Sequence, residues 1–381
     1  MPWLLAGLVF RLALMPFAVH PDIRGHYLGG YIISKKNSLM GVYDYISRLS
    51  RSDPWVKIYG DDFLVYSPIT YWLHALWLKL PFYSQSMFER LILNMDQTLK
   101  EPGVEWLIFF LKIPYLIADI ACLWLVFKIV DEKHKNLTAI LWLFNLPLIY
   151  SAYMMGQFDI FIVLSFLLAA YLIKTEKPAW AAIALAISSG FKPFGLFLLP
   201  FLPGNKIKNI LIGMISYVLI ISPYLLTSPG YRMYALSAQQ SDKIWYAKIL
   251  VSGSQFLPLF AVALTVLFWL SLNNYKSLPW WAWLMSPLLV FFSVTHYHPQ
   301  WFSWISPFLI FSFVIKPKTR WLILTMLVAH LAIVFSFEPS LNFGLLGINY
   351  SLRWLFTDYT MSLVRGVLAA TSLSLLIYVK D

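Results

Sequence analysis

Cysteine is almost missing from this 381-residue chain, and charge is scarce. The one thiol, Cys122, rules out an intrachain disulfide and a cysteine-based metal centre. Charged residues make up 12% of the sequence, about half of what a soluble domain of this length carries. A glycine-rich phosphate loop, a dinucleotide-binding glycine pattern and a Ser/His/Asp triad are all absent, which argues against a soluble nucleotide-using active site. Internal repeats and low-complexity tracts are absent as well.

What fills the chain is apolar: 60% hydrophobic and 18% aromatic, with 17 Trp and 22 Tyr that suit an interfacial aromatic belt. Apolar segments run at about 3–19, 66–80, 105–130, 137–153, 158–173, 178–203, 209–227, 255–272, 279–295, 299–315, 320–337 and 358–379. By length, and because backbone in lipid must satisfy its own hydrogen bonds, these read as about twelve membrane helices. The longest polar stretch, 20–65, is too short and interrupted to bury a core of its own. The expectation is a single all-α polytopic membrane domain over residues 1–381. Residues 3–19 resemble a signal segment, but no small-residue cleavage site follows, so an uncleaved first span is expected.

The net charge of +11 fits Lys and Arg anchoring cytoplasmic helix ends, and no nucleic-acid partner is expected. The basic loops Gly204-Asn-Lys-Ile-Lys-Asn209, Asn273-Asn-Tyr-Lys276 and Lys316-Pro-Lys-Thr-Arg320 alternate correctly if all are cytoplasmic. Loops 20–65, 228–250 and 338–357 and the turn at His296 then face outside, with both termini cytoplasmic. Lys133 and Lys174 also look cytoplasmic. That requires 178–203 to be broken at Gly190-Phe-Lys-Pro193, and leaves between 10 and 13 spans. Residues 23–33, 39–49 and 84–100 read as amphipathic helices lying on the membrane. Arg24, Lys35, Lys36, Arg48, Arg51 and Lys57 make loop 20–65 basic, which suits an anionic ligand.

Six places carry possible chemistry. Asp22, after the first span, is either a helix N-cap or a general base acting on a hydroxyl at the membrane surface. Asp61 and Asp62 enter the second span beside Tyr66-Ser-Pro68 and read as a solvated turn or a cation site. Gln157 and Asp159, in Gly156-Gln-Phe-Asp159, sit between two apolar segments, where polar groups need a wet cavity. Lys192 lies well inside the membrane in either topology and needs an anionic partner; a lipid phosphate and Asp159 are the candidates. His296, His298, Gln300 and Trp301, in Thr295-His-Tyr-His-Pro-Gln-Trp301, suit a phosphate or a sugar face, or simply fill an interface. Loop 228–250, with Arg232, Lys243 and Trp245, reads as a lid or a plain connector.

Together these residues resemble the GT-C superfamily of polyprenyl-phosphate-dependent glycosyltransferases, over nearly the whole chain. The marks are Asp22 after the first span, the long first outer loop and the Tyr66-Ser-Pro68 entry to the second span. Gly156-Gln-Phe-Asp159, Lys192-Pro193 and His298-Pro-Gln-Trp-Phe-Ser-Trp-Ile-Ser-Pro307 are similar to its mannosyltransferase-type branch. The entry motif departs from the commoner Tyr-Pro-Pro-Leu by reading Tyr-Ser-Pro-Ile.

The resemblance implies a GT-C-like bundle and inverting transfer of a sugar, mannose favoured. The donor is a polyprenyl- or dolichyl-phosphate sugar, which is a substrate, so no cofactor or metal is expected. The acceptor is a lipid-linked glycan, a glycolipid or a protein side chain on the outer or luminal face. By the same resemblance Asp22 is the base, Lys192, His298, His296 and Arg232 hold the donor phosphate, and Asp159, Gln157, Tyr66, Gln300 and Trp301 shape the sugar and acceptor sites. A multi-pass transporter or flippase for an anionic or lipid-linked substrate is the rival. It uses Asp159 and Lys192 as coupling groups near the midplane.

Overall fold

The computed structural model describes residues 2–60, 64–336 and 353–380; Asp61, Asp62 and residues 338–352 fall outside them. The described residues are 77% helical, so the expected fold class holds at that level. The first half contains α1 (Pro2–Leu14), α2 (Asp22–Lys35), α3 (Pro54–Tyr59), α4 (Pro68–Leu78), α5 (Gln85–Leu93), α6 (Met95–Thr98) and α7 (Val104–Ile129). Next come α8 (Lys135–Leu143), the single turn α9 (Leu146–Leu148), α10 (Asp159–Lys174), α11 (Pro178–Ser189) and α12 (Lys206–Thr227). The chain closes with α13 (Leu259–Asn273), α14 (Trp280–Val294), α15 (Ser306–Ile315), α16 (Arg320–Ser336) and α17 (Asp358–Tyr378).

Among the described residues, four helices are long and apolar enough to cross a bilayer: Val104–Ile129, Lys206–Thr227, Pro317–Ser336 and Asp358–Tyr378. A fifth results if the pair Glu132–Leu143 and Leu146–Met154, bent by 42°, counts as one span. This is fewer than the twelve expected, although most helix positions match. The reason is local breakage. Pro147 opens a wide turn at Ile149–Met154, and Pro193 starts a tight 3₁₀ run at Pro193–Phe201 just after Gly190. The segment 178–203 is therefore broken where Gly190 and Pro193 suggested.

Three further expectations need correction. Residues 23–33 do form a helix, but α2 is buried from Ile23 through Ile32 except at Arg24, and does not lie on a surface. It runs beside α4 at such close range that a Cβ on Gly30 would fall 2.8 Å from the Ala75 nitrogen. Residues 39–49 form two short 3₁₀ turns, Val42–Asp44 and Ile46–Arg48, in place of a surface helix. Loop 228–250 leads into an antiparallel hairpin, β1 (Lys248–Ser252) and β2 (Gln255–Pro258), so the chain is not wholly α. The expected surface helix at 84–100 is there as α5 and α6.

A buried polar network locks α1, α7 and α8 together. Arg11 Nε donates to Asp119 Oδ2 at 2.6 Å, Trp142 Nε1 donates to Asp119 Oδ1 at 2.7 Å, and Tyr153 Oη donates to Oδ2 at 2.6 Å. Arg11 also donates to the Leu143 carbonyl at 2.5 Å. Buried charges persist when their polar atoms find partners, and every side-chain nitrogen of Arg11 and oxygen of Asp119 has at least one. Lys112, fully buried in α7, donates to the carbonyls of Ala18 and Tyr153. It thereby ties the turn after α1 to the turn before α10, and these two turns carry the candidate site.

Candidate functional site

Five chain breaks meet at one place: the turn after α1, the entry to α4, the turn before α10, the break after α11 and the turn after α14. Each break frees polar groups that a continuous helix would have used up. Asp22 opens α2, yet its side chain caps no backbone amide; Pro21 takes the cap position. Asp22 Oδ2 instead accepts from Gln157 Nε2 at 2.7 Å, and the carboxylate keeps 39% of its surface exposed. His20 Nδ1 accepts from the Asp22 backbone amide at 3.2 Å. The same nitrogen stands 3.6 Å from Asp22 Oδ1.

Gln157 reaches Asp22 because Gly156 turns the chain at φ +67°, a backbone state that favours glycine. A Cβ on Gly156 would also press to 3.0 Å from Ile23. Two residues on, Asp159 Oδ1 accepts from Lys192 Nζ at 2.8 Å and from Trp304 Nε1 at 2.7 Å. The Lys192–Asp159 pair is closed off, with side chains 4% and 0% exposed. Around the Lys192 ammonium stand the rings of Phe158, Trp301, Trp304 and Tyr66, at 4.7, 5.3, 5.6 and 5.8 Å to their centroids. Four ring faces and one carboxylate replace the water that a lysine loses on burial.

A second cation also stands over Trp301. Lys243 Nζ lies 5.3 Å from the same ring centroid and donates to His298 Nε2. Burial pushes the Lys243 ammonium down to about 8, helped by the nearby charge of Lys192. Burial and the neighbouring Lys243 push His298 down to about 3 and His296 to about 4. Both imidazoles are neutral near pH 7, so the positive charge here belongs to the lysines. His298 aims Lys243 rather than adding a charge of its own.

Of the ten residues singled out in the sequence, Asp22, Gln157, Asp159, Lys192, Tyr66, His298 and Trp301 share these contacts. His296 sits at the rim, its ring 6.5 Å from His298 and 5.8 Å from Tyr246. Gln300 is buried in the same short helix, Pro299–Ile305, with its Oε1 unbonded. Arg232 departs from the expectation: it is exposed and donates to the Leu225 carbonyl at 2.8 Å, tying the loop to the end of α12.

Sequence reasoning missed four site residues. His20 and His26 flank Asp22 and were legible by proximity. Trp304 lay inside the quoted His298–Pro307 stretch. Lys243 was noted only as part of a possible lid, because nothing in an irregular loop signals which base turns inward. His26 is fully buried, and neither ring nitrogen has a hydrogen bond. Its ring stands 4.9 Å from Phe158 and 5.3 Å from Tyr66, the same rings that face Lys192. With Gln157 Oε1 and Asp159 Oδ2, also buried and unbonded, it leaves polar groups beside Asp22 that a hydroxyl-rich ligand would satisfy.

The arrangement therefore offers a half-exposed carboxylate, two lysines that share one indole, and unbonded buried polar atoms on the neighbouring residues. No protein-family model matches this chain, and neither a curated protein nor a solved structure matches it.

Proposed function

We propose that the chain is a polytopic membrane glycosyltransferase of GT-C type that moves a sugar, mannose by resemblance, from a polyprenyl-phosphate donor to an acceptor hydroxyl at the outer or luminal face. One observation carries the reading. A half-exposed carboxylate held by one hydrogen bond lies near two lysines that share one indole, which supplies a base and an anion-binding pair.

In this mechanism the acceptor oxygen attacks C1 of the donor sugar from the face opposite the phosphate. Asp22 takes the hydroxyl proton. The C1–O bond to phosphate breaks, the electron pair leaves with the polyprenyl phosphate, and the configuration at C1 inverts. The leaving phosphate needs positive charge rather than a proton. Lys243 is the better placed to supply it, because its partner is a neutral histidine, whereas Lys192 is already matched by Asp159. Half-buried Tyr66 offers a face for the sugar, and His26, Gln157 and Asp159 offer hydrogen bonds to its hydroxyls.

The test is transfer of radiolabelled mannose from polyprenyl-phosphate-mannose by the purified protein in lipid, native against Asp22→Ala. Transfer by the native protein and none by a folded Asp22→Ala supports the reading. Full activity of Asp22→Ala removes Asp22 as base. No transfer from any polyprenyl-phosphate sugar sinks the enzyme reading and favours transport, for which the closed Asp159–Lys192 pair is the coupling candidate.

A further inference from the structure

An apolar groove of about 520 Å³ lies between α1, the turn at Ile149–Met154 and α16. Leu14, Ile149, Tyr150, Met154, Leu331 and Val334 are among its walls. Of the side chains that line it, only Tyr150 and His330 carry polar atoms. His330 turns its ring onto Phe302, with centroids 4.1 Å apart. Ligand pockets commonly span about 300–1,000 Å³, so the space suits a hydrocarbon chain.

The groove's walls belong to the segments that lead into the acid side of the site. Leu14 ends α1, and the chain then runs directly to Asp22. Met154 ends the second wall, and Gln157, which holds Asp22, follows three residues later. Tyr150 lies within electrostatic reach of Asp22. The cation side has an apolar surface of its own: Met233, Leu250 and Val251, in the Lys243 loop and its hairpin, are 63%, 72% and 61% exposed. A donor whose phosphate meets Lys243 has that surface for its chain. The groove beside the base is then left for the molecule whose hydroxyl Asp22 deprotonates.

We infer that this groove holds the hydrocarbon chain of the acceptor, so that the acceptor is a lipid bearing a sugar or hydroxyl headgroup rather than a protein side chain. This rests on the glycosyltransferase reading above. The chain lies along α1 and α16 and brings the headgroup up to Asp22. Both substrates enter sideways from the bilayer.

The experiment uses the whole protein in lipid nanodiscs and needs no turnover. A glycolipid with a diazirine in its chain is photolysed and its cross-links are mapped. Parallel arms use a diazirine-tailed phosphatidylcholine and a diazirine-tailed polyprenyl phosphate. The expected result is labelling at Leu14, Met154 or Leu331 by the glycolipid alone, displaced by unlabelled glycolipid. Equal labelling by phosphatidylcholine makes the groove an ordinary lipid contact and overturns the inference. Labelling by the polyprenyl phosphate reassigns the groove to the donor and also overturns it.

Kinetics separate failure here from failure of the enzyme reading. Leu331→Trp fills the groove and is expected to raise KM for the lipid acceptor about tenfold, equivalent to about 1.4 kcal/mol, with donor KM unchanged. Val328→Trp, on the same helix but 66% exposed and away from the groove, is the control and leaves both values alone. If native transfer proceeds while Leu331→Trp changes neither KM, the groove assignment falls and the glycosyltransferase stands. If no transfer occurs at all, both fall, whatever the labelling.

Discussion

Gln157 Nε2 donates to Asp22 Oδ2 at 2.7 Å across a gap of 135 residues, and no other side chain bonds that oxygen among the described residues. The bond orients the carboxylate without neutralising it, since an amide carries no charge. A base held this way keeps a free lone pair for a substrate proton. Asp22→Ala and Asp22→Asn are therefore both expected to lose about 10²–10⁴ of the transfer rate while folding normally. Gln157→Leu leaves the base present but loose and is expected to cost less. Equal losses for Asp22→Asn and Gln157→Leu in the transfer assay would show that the bond itself, and not proton removal, is what matters.

Lys243 gives the reaction a pH dependence with a defined sign. The protonated ammonium attracts phosphate, and the site pushes its pKa down from 10.5 to about 8. The cation is present below about pH 8 and is lost as pH rises through that value. Donor kcat/KM, which reports the free protein, is expected to fall above about pH 8. Lys243→Arg keeps its charge throughout and is expected to flatten that limb. A fall that survives in Lys243→Arg would assign the titration to another group. The neighbouring histidines, held near 3 and 4, are neutral on both sides of it.

Much of this arrangement was legible in the sequence, and the unread parts share a cause. Helix positions followed from apolar run length, and the break after α11 followed from Gly190 and Pro193. Polar residues stranded between apolar runs, Gln157, Asp159 and Lys192, pointed to one another because burial in lipid demands partners. The burial of α2 was not legible. Ile23, Tyr27, Leu28, Tyr31 and Ile32 read as one amphipathic face, and the glycines that let α4 approach look like ordinary helix breakers in one sequence. The Arg11–Asp119 pair was missed because a lone charge in each of two apolar runs reads as end-anchoring until the runs are packed. Fewer helices reach spanning length than the apolar runs suggested, because apolar length cannot distinguish a straight helix from one bent at Pro147.

Arg11 and Asp119 predict a purely structural phenotype. Removing one member of a buried, fully bonded pair leaves the other charge stranded, at a cost of about 3–5 kcal/mol. Arg11→Met is expected to lower the thermal midpoint in detergent clearly, while donor KM in surviving protein stays native. The pair bonds Trp142 and Tyr153, and none of the site side chains. A change in donor KM without loss of stability would place Arg11 in the site's machinery.

His26 predicts the opposite separation. Its imidazole is buried with both nitrogens unbonded, a cost the fold carries without visible return unless a ligand hydroxyl meets it. His26→Phe keeps a ring of similar shape against Phe158 and Tyr66 and removes the polar atoms. It is expected to leave stability unchanged or slightly raised, and to lower kcat/KM about tenfold or more for the sugar it serves. A 2-epimer or deoxy donor that loses nothing further in His26→Phe identifies the hydroxyl involved. If His26→Phe is as active as native with every donor, the imidazole is packing alone.

Lys192 and Asp159 allow structure and chemistry to be told apart within one pair. Each single neutralisation, Lys192→Met or Asp159→Leu, strands a buried charge and is expected to cost stability by about 3–5 kcal/mol. The double variant strands none, and apolar side chains of similar size among Phe158, Trp301 and Trp304 are expected to restore most of the thermal midpoint. If the pair only holds α10 against the break after α11, activity returns with stability. If its charges also act on substrate, the double variant folds like the native protein and stays impaired. The second outcome is expected, because Lys192 shares Trp301 with Lys243 and Asp159 Oδ2 is left unbonded beside the sugar-facing groups. Recovery of full transfer in the stable double variant would remove both residues from the mechanism and leave Asp22 and Lys243 to carry it.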